Sequence, residues 1–356
     1  MKRILIAALL TAATPALAQP AATPAAPAAA PGRGVQAPLQ IPNPQYETVS
    51  VSVAVNASAD AAWARVGKFC AIAQADPATS CTYLAGNGDP GTVRSIGNEV
   101  LTSATQYSYT YAQAPRTGMP YNFQHGTLMA TPVSAAASRL NQVVFLDTSM
   151  LGAAAREAAL ADIKARVTQQ LQSLKTLAEG GKSTASRPIV SAADPTPFQN
   201  PTPRYVAILM QVAVNAPANV VWDHIGHFCD IGKIGSVGFP TCMIVEGNDG
   251  EYGVVRSVGR EVLVGKAENS YTYSQQMRVS GFYALYHGTI EARAVTPTTT
   301  NLYWTLVYDN SNQPDAAAID RDIAGRRTRF MSMLQAVKTL SEGGTLPDAA
   351  AAPAAR

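Results

Sequence analysis

The feature that most constrains this chain is that it contains a copy of itself. Val53-Ala54-Val55-Asn56-Ala57 returns as Val212-Ala213-Val214-Asn215-Ala216, and Trp63 returns as Trp222. Gly67-Lys68-Phe69-Cys70 meets Gly226-His227-Phe228-Cys229, and Gly91-Thr92-Val93-Arg94-Ser95 meets Gly253-Val254-Val255-Arg256-Ser257. Further on, Ser108-Tyr109-Thr110-Tyr111 matches Ser270-Tyr271-Thr272-Tyr273, and His125-Gly126-Thr127 matches His287-Gly288-Thr289. The offset stays near about 160 residues throughout, which is the length of a whole domain rather than of a solenoid unit. The 356 residues therefore divide into two domains of one fold.

Each copy has the same order of elements. An alternating segment (Thr48 to Val55; Tyr205 to Val214) reads as a strand. A short helix carrying the tryptophan follows (Ala59 to Val66; Ala218 to Ile225). About six β-like segments rich in Val, Thr and Tyr come next. A long helix closes each copy. Its apolar stripe is Ile163, Val167, Leu171, Leu174 and Leu177 in the first, and Ile319, Ile323, Phe330, Leu334, Val337 and Leu340 in the second. Gly180-Gly181 and Gly343-Gly344 stop these helices. Strands followed by a helix indicate an α+β fold with an antiparallel sheet.

The flanks read differently. Lys2 and Arg3, an apolar run from Ile4 to Ala13 and Ala16-Leu17-Ala18 have the form of a secretory signal peptide over 1–18. Residues 19–44 are a Pro/Ala-rich spacer without the apolar bulk to build a core. The expected domains are 45–180 and 204–343, with a linker over 181–203 and a tail over 344–356. A periplasmic or secreted protein is expected. With 27 basic against 24 acidic residues, no charge excess is available to neutralise a nucleic acid. After the leader no apolar run is long enough to span a membrane.

The segments VAVNASADAAWARVGKFCAIA and VAVNAPANVVWDHIGHFCDIG, with GTVRSIG, GVVRSVG, YSYTY and SYTY, resemble the SRPBCC superfamily. These are the START-like helix-grip proteins, including those described as polyketide cyclase/dehydrase. The resemblance covers both copies and none of the spacers. It implies two tandem helix-grip domains. Each would be a curved antiparallel sheet wrapped around the long C-terminal helix, with two short helices and a ligand cavity between sheet and helix. It supplies no universal catalytic residue, and fold alone does not settle function.

Several residues stand out within that frame. Cys70 with Cys81, and Cys229 with Cys242, are one pair per copy, and in an exported protein they read as two local disulfides. Neither C-x-x-C spacing nor paired histidines nearby support a metal or redox site, and no metal is expected. His224 and His227 share a helix face by spacing, but the matched Arg65 and Lys68 point to a solvated face. Arg94 and Arg256 lie in apolar strands, each five residues before a glutamate, Glu99 or Glu261. They either hold a ligand carboxylate or phenolate, or form a structural pair with that glutamate. Tyr109 with Tyr111, and Tyr271 with Tyr273, point to one face of a strand and either line a cavity or pack on the long helix. His125 and His287, after Tyr121 and Tyr283, are either acid–base groups or structural residues. Asp147 and Asp309 end a strand and cap a turn.

No nucleophile-elbow, zincin, phosphate-loop or dinucleotide motif occurs, and no cofactor is expected. The reading that follows is a protein that binds a small hydrophobic or aromatic molecule between sheet and helix. Two others stay open: a cyclase or dehydratase-like enzyme using cavity His, Arg and Tyr, and a structural or protein-interaction module. The pocket set is Arg94, Glu99, Tyr109, Tyr111, His125, Arg256, Glu261, Tyr271, Tyr273 and His287. Trp304 standing where the first copy has Gln142 marks a difference between the two interiors.

Overall fold

The computed structural model describes residues 38–76, 79–114, 123–182, 200–234, 241–279 and 285–346. The expected leader, nearly all of the spacer, most of the linker and most of the tail lie outside the described residues, as do Tyr121 and Tyr283.

In the first repeat the strands are β1 (Tyr46–Val55), β2 (Tyr83–Ala85), β3 (Val93–Arg94), β4 (Glu99–Ala104), β5 (Ser108–Gln113), β6 (Gln124–Ser134) and β7 (Ala137–Asp147). The helices are α1 (Ala59–Val66), α2 (Ile72–Ala75) and α3 (Ala153–Ala178). The second repeat has β8 (Tyr205–Val214), α4 (Ala218–Trp222), β9 (Ile244–Glu246), β10 (Val255–Arg256), β11 (Glu261–Ala267), β12 (Ser270–Gln275), β13 (Tyr286–Thr296), β14 (Thr299–Asp309) and α5 (Ala316–Ser341). Both sheets have seven strands, in the orders β1-β7-β6-β5-β4-β3-β2 and β8-β14-β13-β12-β11-β10-β9, and every pairing is antiparallel. Register shifts between Leu101 and Ser103, and between Leu263 and Gly265, fall at matching places. Bulges of this kind bend a strand.

The short helix of the second repeat ends earlier than its apolar spacing suggested. It stops at Trp222, and the chain tightens into His224-to-Val221 and Ile225-to-Trp222 bonds. His224 and His227 therefore do not share a helix face, and His227 instead faces Asp249 at 3.0 Å. Both disulfides are formed, Cys70–Cys81 and Cys229–Cys242, with Cα atoms 5.5 and 5.3 Å apart. Each joins the segment after the first helix to the approach to the sheet edge. Among the described residues, no helix is long and apolar enough to cross a membrane, and no cluster of metal-ligating side chains occurs.

Alternation gives each sheet two faces. The inner face of the first carries Val53, Val55, Leu101, Tyr109, Tyr111, Leu128 and Leu140, which pack with Leu171, Leu174 and Ala178 of α3. A smaller cluster continues it along the same helix, where Val49, Val144 and Leu146 meet Ile163 and Val167. The helix is buried where its apolar stripe was legible, and Gly180 ends it at φ +84°. The second sheet grips α5 in the same way through Leu334 and Val337.

The outer faces are also apolar, and they pack against each other. Val100, Ala112 and Ala114 of the first repeat meet Leu285 and Val307 of the second. Val255, Val262 and Val264 of the second meet Phe123 and Phe145 of the first. The two clusters exchange roles between the repeats, so the contact is a pseudo-twofold interface of the kind a homodimer forms. The layers run helix, sheet, sheet, helix. Close approach is needed at Gly265, where a Cβ would lie 2.6 Å from the Thr110 hydroxyl oxygen across the interface.

The glycine of the His-Gly-Thr motif has a similar cause inside the first repeat. Tyr111 pairs with Gly126 across β5 and β6, and its ring lies over the bare backbone. A Cβ at Gly126 would come within 2.2 Å of the ring's Cζ. Gly126→Ala must displace a buried tyrosine and is expected to cost about 1–3 kcal/mol. The check is a lower urea midpoint at unchanged m-value in equilibrium unfolding.

Candidate functional site

Arg94 ends β3 and Glu99 begins β4, and the hairpin register places them opposite each other. Gly97 and Asn98, at φ +57° and +49°, make the turn between them. Two charges five residues apart in sequence thereby become a buried pair. Arg94 Nε donates to Glu99 Oε2 at 2.6 Å, and Arg94 Nη1 donates to the Phe69 carbonyl. The guanidinium lies 4.2 Å from the Phe69 ring centroid and 4.9 Å from that of Tyr111. Burial lowers the Arg94 pKa and Glu99 raises it, with a net shift upward, so the guanidinium stays charged. For Glu99, burial pushes the carboxyl up while Arg94 opposes it. The second repeat reproduces this arrangement, with Arg256 donating to Glu261 at 2.7 Å and to the Phe228 carbonyl at 2.5 Å. Of the two roles open to these arginines, the geometry realises the pair with glutamate in both copies.

Beside this pair the first repeat leaves a cavity of about 100 Å³ between sheet and α3. Its wall includes Arg94, Glu99, Tyr111, Gln113, Gln124, Val144, Ile163, Arg166, Val167 and Gln170. Gln142 on β7 is joined to this wall through Tyr111, to whose hydroxyl its Nε2 donates at 3.3 Å. The Gln142 Oε1 is buried without a hydrogen-bond partner among the described residues, and so is Gln113 Oε1. Burial raises the Tyr111 hydroxyl well above the ordinary phenol range. That group can therefore donate or accept a hydrogen bond but does not act as a base. Tyr109 packs deeper, against Trp63 and Phe69, with ring centroids 5.9 and 5.6 Å away.

The second repeat fills the matching space. Trp304 replaces Gln142 and is fully buried. Its Nε1 donates to the Tyr273 hydroxyl at 3.2 Å, the bond that Gln142 makes to Tyr111. Phe330 stands where α3 has Val167, and its ring centroid is 4.8 Å from that of Trp304. Met333, Tyr286 and Tyr308 occupy the positions of Gln170, Gln124 and Leu146, and all three are buried. Arg326 lies over the Tyr308 and Tyr286 rings, at 4.6 and 5.3 Å from their centroids. Tyr271 and Tyr273 thus belong to a packed interior. Burial raises Tyr273 well above the ordinary phenol value and takes Tyr271 to about 12.

The two strand histidines are not in either interior. His125 pairs with Ala112 and Phe145, and His287 with Ser274 and Val307, all on the outer faces. They meet at the sheet–sheet contact, with their Nε2 atoms 2.7 Å apart. That is a hydrogen bond between two neutral rings. Alternation showed that His125 and Thr127 share a face. It did not show that the helix lies on the other one, so their placement in the pocket set is corrected here. Asp147 and Asp309 do cap turns, accepting from Gln45 and Ser149, and from Arg204 and Ser311.

The cavity glutamines Gln113, Gln124 and Gln170 escaped the sequence reading, which singled out only the nearby exchange of Gln142 for Trp304. The legible signal was position-by-position difference between two otherwise matching copies.

Residues 46–179 match the family described as polyketide cyclase / dehydrase and lipid transport. No curated protein sequence matches the chain. Among solved structures, the di-domain ARO/CYC BexL from the BE-7585A biosynthetic pathway is 16% identical, covering 85% of this chain and 100% of that one at a TM-score of 0.30. The di-domain ARO/CYC StfQ from the steffimycin biosynthetic pathway is 14% identical, covering 83% and 98%, with a TM-score of 0.31. The Zhui aromatase/cyclase from Streptomyces sp. R1128 is 16% identical, covering 40% and 100%, at 0.30. At such TM-scores these likenesses support no functional inference. The family match, the internal duplication and the two identical strand orders agree on the fold: the chain is a tandem pair of α+β domains in which a seven-stranded antiparallel sheet grips a long C-terminal helix, and residues 46–179 are similar to the polyketide cyclase / dehydrase and lipid transport family.

Proposed function

We propose that this is an exported protein that binds a small hydrophobic or aromatic molecule in the first repeat, while the second repeat serves as a packed partner for its outer face. The observation that carries this reading is the cavity of about 100 Å³ in the first repeat, with the buried, unpartnered Oε1 of Gln113, one of its wall residues. An orphaned acceptor in a closed interior is costly, about 1–3 kcal/mol, and a ligand hydroxyl or amide removes that cost. The apolar walls, Val144, Ile163 and Val167, take the carbon skeleton. Complete ligand pockets run to about 300–1,000 Å³, so this cavity takes the buried end of a ligand. Residues 115–122, which join the strands carrying Gln113 and Gln124, lie outside the described residues. Export rests on the leader-like residues 1–18 and on two disulfides, which persist in oxidising compartments. The enzyme alternative loses its proposed base, because His125 and His287 face away from the cavities.

Two substitutions exchange the interiors. Gln142→Trp introduces the residue that closes the second repeat, opposite the small Val167 rather than a phenylalanine. Binding of a naphthol probe, followed by fluorescence titration, is expected to fall at least about tenfold, with a stability change below about 3 kcal/mol. Undiminished probe binding by this variant would place the ligand elsewhere. In the other direction, Trp304→Gln removes the largest fully buried side chain among the described residues. It is expected to lower unfolding free energy by about 3–5 kcal/mol in urea titrations.

A further inference from the structure

The mechanism of ligand capture makes no use of His125 and His287, yet both are titratable bases buried between the repeats. Each is 2% exposed, and their rings face each other across the pseudo-twofold interface with centroids 4.9 Å apart. One ring donates through Nε2 and the other accepts, which leaves both Nδ1 atoms buried without a hydrogen-bond partner among the described residues. The residues paired with them from β5, β7, β12 and β14 are Ala112, Phe145, Ser274 and Val307, while Phe123 and Leu285 complete the neighbouring wall. None of these carries charge or titrates. Besides burial, what disfavours a proton on His125 is the other imidazole, His287. Among the described residues, a proton taken up here meets no carboxylate at the strand positions paired with either ring.

We propose that the His125–His287 contact is an acid-sensitive latch, which holds the two outer sheet faces together when both imidazoles are neutral and lets the repeats separate when they take up protons. The sign follows from where protons bind more readily. In the closed interface burial pushes His287 down to about 3, and burial together with its neighbour holds His125 well below its ordinary value. An opened interface returns both rings to water and to an imidazole pKa of about 6.5. The open form therefore binds more protons over that window. Closure is fully present above about pH 6.5 and weakens as the pH falls, by up to about tenfold per pH unit for each histidine. For the pair the limit is about a hundredfold per unit. A second proton also places N–H groups against each other at Nε2 and removes the hydrogen bond itself.

The test uses the full chain. Small-angle X-ray scattering and far-UV circular dichroism are recorded at neutral pH and about two units below the ordinary imidazole pKa. The expected result is a reversible increase in radius of gyration at the lower pH with unchanged far-UV signal. In His125→Gln/His287→Gln, which keeps polar groups that do not titrate, the chain is expected to stay compact at both pH values. His125→Phe/His287→Phe serves the same purpose should the amides prevent folding. A wild-type chain that stays compact through the window overturns the latch. So does expansion of the non-titrating variant at the same pH, or loss of far-UV signal together with the wild-type expansion.

Discussion

Each sheet has apolar side chains on both faces, and the rest of the structure depends on covering both. The inner face is covered from within the repeat by its own long helix. The outer face, with Phe123, Phe145, Val262 and Val264, has no cover within its own repeat. Exposed, it would be a contiguous apolar patch of the kind that marks association sites. The tandem copy supplies the cover. Duplication thus solves a surface problem that a single helix-grip domain with these residues would have to meet with a second chain. The buried apolar side chains, at about 1.5–3 kcal/mol each, outweigh the two orphaned histidine nitrogens at about 1–3 kcal/mol each.

Once the copies are bound back to back, their interiors are free to diverge. On the outer face Val100, Thr110, His125 and Thr127 recur as Val262, Thr272, His287 and Thr289, and the Arg–Glu pair beneath the tyrosines is kept in both. Breaking such a pair leaves a buried charge, which costs about 3–5 kcal/mol, so the pair resists change independently of ligand. The cavity wall is under no such constraint. Gln124, Val167 and Gln170 leave a gap, and Tyr286, Phe330 and Met333, with Trp304 against Phe330, fill the matching space.

Much was legible without coordinates. The duplication, the order of strands and helices, the stripe buried on α3 and the cysteine pairs follow from local rules. Period two or 3.6 assigns a strand or helix, and a Gly-ended stripe marks where a helix stops. The Arg94–Glu99 contact was also within reach, since a short turn between two strands brings such residues opposite each other. The helix over Ala218–Ile225 was overextended because apolar spacing continues past Trp222, while the backbone there has already tightened.

What the chain alone determined is therefore the set of elements, their order, and which residues share a face, because these depend on neighbours in sequence and on fixed backbone periods. Which face the helix covers, and what lies against the other, was decided only by the tertiary structure. Alternation is symmetric between the two sides of a sheet. His125 with Thr127, and Tyr111 with Tyr109, read equally well as inward or outward until a third body is placed. The packing of one copy on the other breaks that symmetry. It sends the tyrosines under the helix and the histidines to the seam between the repeats.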